Sequence, residues 1–169
     1  MVAIAALFML VPATSSLGAP SATRHVLVTD DCDPATFNAV LGPGSCVKDG
    51  DTTFDEFIGQ LITLGTAPAW RFIPGQLRLA AGGTLIANNR GGEGHTYSEV
   101  ANFGGGCIPE LNDILGLTPV PECAGFPGGV FGATFVPAGS RLTTTGLAPG
   151  THLFECLIHP WMRNVVNVK

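Results

Sequence analysis

Three side chains that bind soft metal ions follow one another near the C-terminal end of the sequence. Cys156, His159 and Met162 are spaced by three residues within the stretch HLFECLIHPWMRNVVNVK. A thiolate, an imidazole and a thioether together suit copper, whereas a hard cation prefers oxygen ligands and a structural zinc site has more thiolates. Because one cysteine and two histidines with a distant axial methionine form a known copper geometry, the stretch supplies all but one ligand of such a site.

The missing imidazole has three candidates, which are His25, His95 and His152. His95 follows a strand-like segment and the glycine-rich loop RGGEGH, and such a loop lets the backbone approach a metal closely. His25 falls next to the expected mature N-terminus, and His152 lies about 13 Å from Cys156 along a strand at ~3.3 Å per residue. We therefore predict that His95 is the second histidine ligand, with a surface histidine as the alternative.

The segments that must position these ligands have the pattern of short strands. After Pro68 the sequence shows period-two alternation in WRFIPGQLRL and TLIANN, which predicts two strands separated by a Gly82-Gly83 turn. Further strands are predicted in FGATFVP, SRLTTTG, HLFECLI and VVNVK, with LAPG turning the second and third of these into a hairpin. The 23 glycines and 13 prolines favour a loop-rich all-β domain, so the pattern predicts a β-sandwich.

Residues 19–66 are predicted to form an acidic extension that contains one helix. Seven of the 13 acidic residues lie between Asp30 and Glu56, and we interpret them as a solvated face or, alternatively, as a surface for a basic partner. Thr53 and Glu56 have the spacing of a capping box, and apolar residues recur at helical spacing after them. One amphipathic helix that ends near Gly65 is therefore expected.

The first 18 residues have the features of a signal peptide. An apolar run from Val2 to Val11 is too short to span a bilayer, and small residues follow it, with cleavage expected after Gly18. The sequence therefore predicts a periplasmic or secreted protein with no stable membrane insertion after signal removal. A buried N-terminal segment and an uncleaved anchor are the alternatives.

Export to an oxidising compartment would allow the cysteines to form disulfides. Four cysteines allow three pairings, and we favour the two local ones, Cys32 with Cys46 and Cys107 with Cys123. The second bridge would staple an insertion of about residues 100–127. Cys156 is left unpaired and available as a ligand.

Composition limits the remaining possibilities. A chain of 169 residues that is 46% hydrophobic supports one domain with a core, which we place at residues 67–169. The 13 acidic and 8 basic residues give a net charge of -5. This charge argues against nucleic-acid binding, which needs clustered basic residues.

Two segments resemble the cupredoxin family. CLIHPWMRNVVNV is similar to the ligand loop and last strand of these proteins, and its C-x-x-H-x-x-M spacing is similar to that of the plastocyanin and amicyanin group. In NRGGEGH, Asn89 stands six residues before His95, as in amicyanins. The resemblance covers Trp70 to Lys169 apart from the insertion at Val100 to Pro127.

This resemblance implies a fold, a cofactor and a function. The expected fold is a cupredoxin-like Greek-key β-sandwich, with an N-terminal helical extension and a disulfide-stapled insertion. The expected cofactor is one type 1 copper, with His95, Cys156 and His159 as equatorial ligands and Met162 as the axial ligand. The protein would be a monomer and no enzyme, and it would shuttle single electrons between a donor and an acceptor protein.

The resemblance also implies roles for residues around the ligands. His159 would reach the surface through an apolar patch of Pro160 and Trp161 that docks redox partners. Amicyanins have a threonine after the ligand cysteine that bonds to the asparagine, so Leu157 removes that link to Asn89. Ile158 stands where amicyanins have proline, and our hypothesis is that its N–H donates to the thiolate and raises the reduction potential.

Other functions stay open at this stage. A copper-binding, storage or interaction module without electron transfer is the main alternative, and zinc in the same ligands is the alternative metal. A copper enzyme would need a second centre, and the chain has only two spare histidines and no His-x-His pair. A trimer that shares ligands between chains is harder to exclude.

Overall fold

The computed structural model describes residues 21–169, so the predicted signal peptide lies outside the described residues. Strands form most of the regular structure, in keeping with the many β-type segments of the sequence. In chain order they are β1 (Ser21–Thr29), β2 (Arg71–Ile73), β3 (Gln76–Asn89), β4 (His95–Thr96), β5 (Ser98–Val100), β6 (Phe135–Val136), β7 (Arg141–Thr144), β8 (Gly150–Glu155) and β9 (Arg163–Val168).

Four α-helices lie between these strands. They are α1 (Pro34–Leu41), α2 (Phe54–Leu64), α3 (Pro109–Leu115) and α4 (Gly129–Thr134), and a 3-10 turn spans Pro121–Cys123. No helix in residues 21–169 is long and apolar enough to cross a membrane.

The long strand β3 organises the main sheet, whose order is β2-β1-β3-β9-β8-β5. Its first residues, 76–79, pair in parallel with β9, whereas residues 84–89 pair with β1 in parallel and 85–88 with β7 antiparallel. β4 and β6 form a separate two-stranded sheet. Alternate side chains of β3, among them Leu77, Leu79, Leu85 and Ala87, are buried in the core, which is the period expected for a half-buried strand.

Three of the strand predictions need correction. The predicted Gly82-Gly83 turn is absent because β3 continues through both residues, with Gly82 in the left-handed region at φ 72°. Most of FGATFVP forms α4, and only its last part is strand. LAPG does not close a hairpin, since β7 pairs with β3 and β8 pairs with β9 and β5.

The N-terminal part of the chain is more than an appendage. β1 lies between β2 and β3, and Phe37 of α1 and Phe57 of α2 belong to the same buried core. The predicted helix is confirmed as α2: the Thr53 and Glu56 capping box is formed, and Gly65 caps the C-terminal end in the left-handed conformation. α1 was not predicted, so the described part of this extension, residues 21–66, contains two helices instead of one. The division at residue 66 stays a prediction.

Two disulfides hold the segments that flank the strands. The structure pairs Cys32 with Cys46 and Cys107 with Cys123, and it leaves Cys156 as a buried free thiol. The second bridge closes the insertion, which carries α3. The insertion reaches the ligand loop directly, since the Cys107 N–H donates to the Leu157 carbonyl.

Candidate metal centre

Three donor atoms from distant parts of the chain converge at one end of the sheet. The Sγ atom of Cys156 lies 3.8 Å from Nδ1 of His95 and 3.8 Å from Nδ1 of His159, and the two Nδ1 atoms are 3.2 Å apart. All three residues are buried. The structure therefore brings together the three residues predicted as equatorial ligands.

Strand ends and a tight loop position these donors. His95 begins β4 and pairs with Val136 of β6, while Cys156 follows the last residue of β8. The loop to β9 is closed by two backbone hydrogen bonds, from Cys156 N–H to the Met162 carbonyl and from Met162 N–H to the His159 carbonyl. Met162 is fully buried beside this loop, which places the predicted axial residue in the same segment.

A buried carboxylate lies behind His95. Oδ2 of Asp30, directly after β1, is 2.8 Å from Nε2 of His95, and the Asp30 carboxylate also accepts the N–H groups of Gly92 and Glu93. Asp30 was assigned to the solvated acidic face, and this assignment is wrong because its side chain is only 1% exposed. β1 and β3 run in parallel, so the residues that follow them meet at the same edge of the sheet.

The glycines of the RGGEGH loop allow this close packing. A Cβ atom on Gly91 would lie 1.8 Å from Oδ2 of Asp30, and one on Gly92 would lie 2.7 Å from the Sγ atom of Cys32. The loop therefore rests on the Asp30 carboxylate and on the Cys32–Cys46 disulfide. Any larger residue at these positions would push the loop, and His95 with it, away from β1.

Thr96 links the two ligand-bearing segments. Its Oγ1 accepts the Leu157 N–H at 2.7 Å, and its own N–H points to the Sγ atom of Cys156 at 3.4 Å. The link that Leu157 was expected to remove is therefore supplied by the residue after His95. The hypothesis for Ile158 stays a prediction; the backbone N–H that the structure directs at the sulfur is that of Thr96.

Asn89 orders the loop before His95. Its side-chain NH2 group donates to the carbonyls of Glu93 and Val136, and its Oδ1 accepts the Gly91 N–H. Asn89 thus binds backbone groups within the loop and of β6. Asn89 acts on His95 through the conformation of the loop.

The resemblance predicts that His159 reaches the surface, but the structure buries it. It is 3% exposed, with the Phe57 ring of α2 at 6.0 Å and the Trp161 ring at 5.3 Å between centroids. Pro160 is buried and Trp161 is partly buried. The physical reason is that α2, which the resemblance did not cover, packs over the ligand loop.

Glu93 is a second buried acid that sequence reasoning missed. Its Oε2 atom accepts the Trp70 indole N–H at 2.5 Å and lies 3.8 Å from Nε2 of His159. Burial raises the pKa of Glu93, while His159 and the Trp70 bond oppose that change. The only sequence signal was its place in the glycine-rich loop before His95.

The cluster favours a thiolate next to protonated imidazole in the metal-free protein. Burial would raise the pKa of Cys156, but the two histidines hold it well below its usual range. Burial would lower the pKa of His95, yet its hydrogen bonds to Asp30 and Cys156 raise it to about 10. For Asp30, burial is outweighed by His95, and its pKa falls to about 2.

The donor set fits a single soft metal ion. Donor atoms that share one ion at about 2.0–2.3 Å lie between 3 and 4 Å from each other, which is the separation observed here. One nitrogen–nitrogen–sulfur set with a buried methionine nearby matches the preferences of copper. The two other histidines lie elsewhere, with His25 near Asn88 and His152 paired to Glu99.

Comparisons with known proteins give similarities at the level of structure. No protein-family model matches the chain, and no curated protein matches it. The purple cupredoxin from Nitrosopumilus maritimus is 13% identical with a TM-score of 0.45, covering 86% of this chain and 98% of that one. A mutant plastocyanin of fern is 16% identical with a TM-score of 0.43, covering 86% and 100%. A mutant amicyanin in its Cu(I) form is 19% identical with a TM-score of 0.38, covering 59% and 73%.

The mixed sheet, the helices and the Cys32–Cys46 disulfide fit the architecture expected from the sequence. With identities this low, the function has to be argued from the site itself.

Proposed function

We propose that this chain, which has the predicted cupredoxin-like β-sandwich fold, is an exported mononuclear blue copper protein that carries single electrons. The observation that carries the proposal is the convergence of the His95, Cys156 and His159 donor atoms in a buried cluster. Copper bound there would accept and release one electron as it changes between Cu(I) and Cu(II). Met162 would be the axial ligand.

The surrounding residues suit such a site because they limit its movement. Asp30 fixes the ring of His95, and Thr96 ties that segment to the loop of Cys156 and His159. The Thr96 N–H directed at the sulfur withdraws electron density from a thiolate ligand. Residues held in this way would change position little between two oxidation states, which favours fast electron transfer.

We further propose that the protein works in the periplasm or outside the cell, as a monomer with a protein donor and a protein acceptor. The two disulfides support an oxidising compartment. The proposal includes no enzymatic activity. The apolar docking patch predicted at Pro160 and Trp161 stays a proposal. Because His159 and Pro160 are buried, a partner would contact Trp161.

The test is the visible spectrum of the copper-loaded protein. We expect an intense thiolate-to-copper band at about 600 nm, as for a blue-copper geometry. The band should be lost in His95→Ala and changed in Met162→Ala, whereas His25→Ala serves as the matched control and should keep it. Bound copper without the band would reject the electron-carrier proposal.

One observation favours the alternative of a copper-binding or storage module. His159 is covered by α2, which lengthens the path of an electron to a partner. The two functions differ in reactivity: a carrier exchanges electrons with a soluble redox reagent within the mixing time, whereas a storage module holds Cu(I) and reacts slowly. Stopped-flow oxidation of the reduced protein by ferricyanide distinguishes them.

A further inference from the structure

A deep apolar pocket lies next to the candidate metal centre, between α1, α2, α3 and the ligand loop. Its volume is about 440 Å³, which lies within the range of small-molecule sites. The walls are mostly apolar and include Phe37, Phe54, Phe57, Ile58, Ile108 and Leu111, with the exposed Glu110 also on the lining.

The pocket has a closed floor and an open mouth. Phe37, Phe57 and Leu111 are buried, whereas Val40 and Leu41 are more than half exposed and form part of the rim. A small molecule can therefore enter beside α1 and lose its hydration as it moves towards the buried floor. The apolar walls disfavour a charged occupant.

Two polar side chains line the inner part of this pocket, and both are more than nine-tenths buried. They are Glu93 and His159. The Trp70 indole N–H donates to Oε2 of Glu93, whereas Oε1 makes no hydrogen bond to the described residues. Within residues 21–169, Nε2 of His159 makes no hydrogen bond, and Oε2 of Glu93 lies 3.8 Å from it.

The chemistry of these two groups defines the ligand. If Nδ1 of His159 binds a metal, as the proposed function states, the neutral ring carries its proton on Nε2 and can only donate. The carboxylate of Glu93 offers an acceptor in the same cavity. A single hydroxyl group can accept from one and donate to the other.

We propose that the pocket binds a small neutral aromatic alcohol of the phenol class, with its ring packed against the phenylalanines and its hydroxyl at His159 and Glu93. The three phenylalanine rings already pack edge to face and tilted, and such walls favour an aromatic guest. This binding site lies beside the metal cluster, and His159 belongs to both.

The experiment is a fluorescence titration of copper-loaded and zinc-loaded protein with 2-naphthol, with naphthalene as the hydrocarbon control. We expect saturable one-to-one binding of 2-naphthol, about tenfold tighter than that of naphthalene, because two hydrogen bonds distinguish them. No saturable binding, or equal binding of the two compounds, would overturn the proposal.

Two variants locate the binding. Ile58→Trp fills the pocket and should abolish the titration, whereas Leu64→Trp places the same ring at the exposed end of the same helix and should keep it. Binding that survives Ile58→Trp would overturn the assignment to this pocket. Far-UV circular dichroism checks that both variants fold.

The pocket and the proposed function can fail separately. A blue protein that does not bind 2-naphthol keeps the electron-carrier proposal and loses the pocket. A colourless protein that binds 2-naphthol, with loss in Ile58→Trp, keeps the pocket and loses the electron-carrier proposal.

Discussion

At the scale of single residues, the centre depends on side chains that do not belong to the ligand set. Asp30 accepts a hydrogen bond from Nε2 of His95, which fixes the ring and leaves Nδ1 directed at Cys156. A carboxylate in this position also makes the imidazole a stronger donor. The strength of the site therefore depends on a residue 65 positions away in the sequence.

Removal of the Asp30 charge should weaken metal binding. Asp30→Asn keeps the shape of the side chain but loses the charge, so we expect copper affinity to fall by roughly 10–100-fold. Competition with a chelator measures this change. Asp49→Asn changes an exposed acid of the same segment and should have no effect; an unchanged affinity in Asp30→Asn would contradict the assigned role.

Removal of the Thr96 hydroxyl should destabilise the fold. Thr96→Val is close in shape but leaves the buried Leu157 N–H without its acceptor, at a cost of about 1–3 kcal/mol in the free energy of unfolding. Urea denaturation of the metal-free protein gives the value. Thr151→Val at an exposed position of β8 should cost much less, and equal losses would argue against the Thr96 link.

The residues of the site differ in how well the sequence predicts them. The predicted ligands Cys156, His159 and Met162 stand within seven residues, so their spacing alone indicates a metal site. Asp30 and Glu93 could not be predicted in the same way, because their roles arise from contacts between loops. Acidic residues in a polar segment are normally solvated, and only the parallel pairing of β1 and β3 buries Asp30.

At the scale of elements, α2 determines how the centre meets solvent. Phe57 on its buried face contacts both His159 and Trp161, so this helix covers the ligand loop. The Thr53 and Glu56 capping box fixes the start of α2, and Gly65 ends it. Local sequence signals thus determine where α2 begins and ends over the ligand loop.

The cap of α2 gives a prediction for stability. Thr53→Ala removes the side-chain acceptor at the N-cap and should lower the free energy of unfolding by about 1 kcal/mol. Thr63→Ala in the last turn of the same helix changes a similar side chain without a capping role, so it should be nearly neutral. Denaturant midpoints of the two variants are compared; a neutral Thr53→Ala would show that packing alone holds α2.

Elements with strong local signals were predicted and those without them were not. α2 has a capping box and helical periodicity, and β9 is rich in valine. α1 begins at Pro34 after the Asp33 cap, within a segment where glycine, proline and aspartate suggested turns only. β3 was split in two because Gly82 and Gly83 usually mark a turn, whereas here they lie within a continuous strand.

At the scale of the whole molecule, the proposed metal binding would be coupled to protons. In the metal-free protein His95 stays protonated at neutral pH, because its pKa is raised to about 10 by Asp30 and Cys156 against the effect of burial. The histidines hold the pKa of the Cys156 thiol well below its usual range, which favours the thiolate form that a metal binds. Metal binding must therefore displace the proton of His95.

This coupling predicts the pH dependence of copper affinity. One proton should leave His95 per metal bound at pH 7.5, so affinity should rise by about tenfold per pH unit from His95 and level off near pH 10. Calorimetry in buffers of different ionisation enthalpy counts the released protons. Asp30→Asn should release fewer, and the absence of proton release in the wild-type protein would contradict a protonated His95.

The position of β9 also affects the order in which the molecule is completed. β9 lies between β3 and β8 in the sheet, although it follows both in the sequence. During synthesis from the N-terminus, β8 emerges before the strand that joins it to β3, and the His159 loop is held only once β9 pairs on both sides. The candidate metal centre would thus be among the last parts of the molecule to be completed, after β9 has joined the sheet.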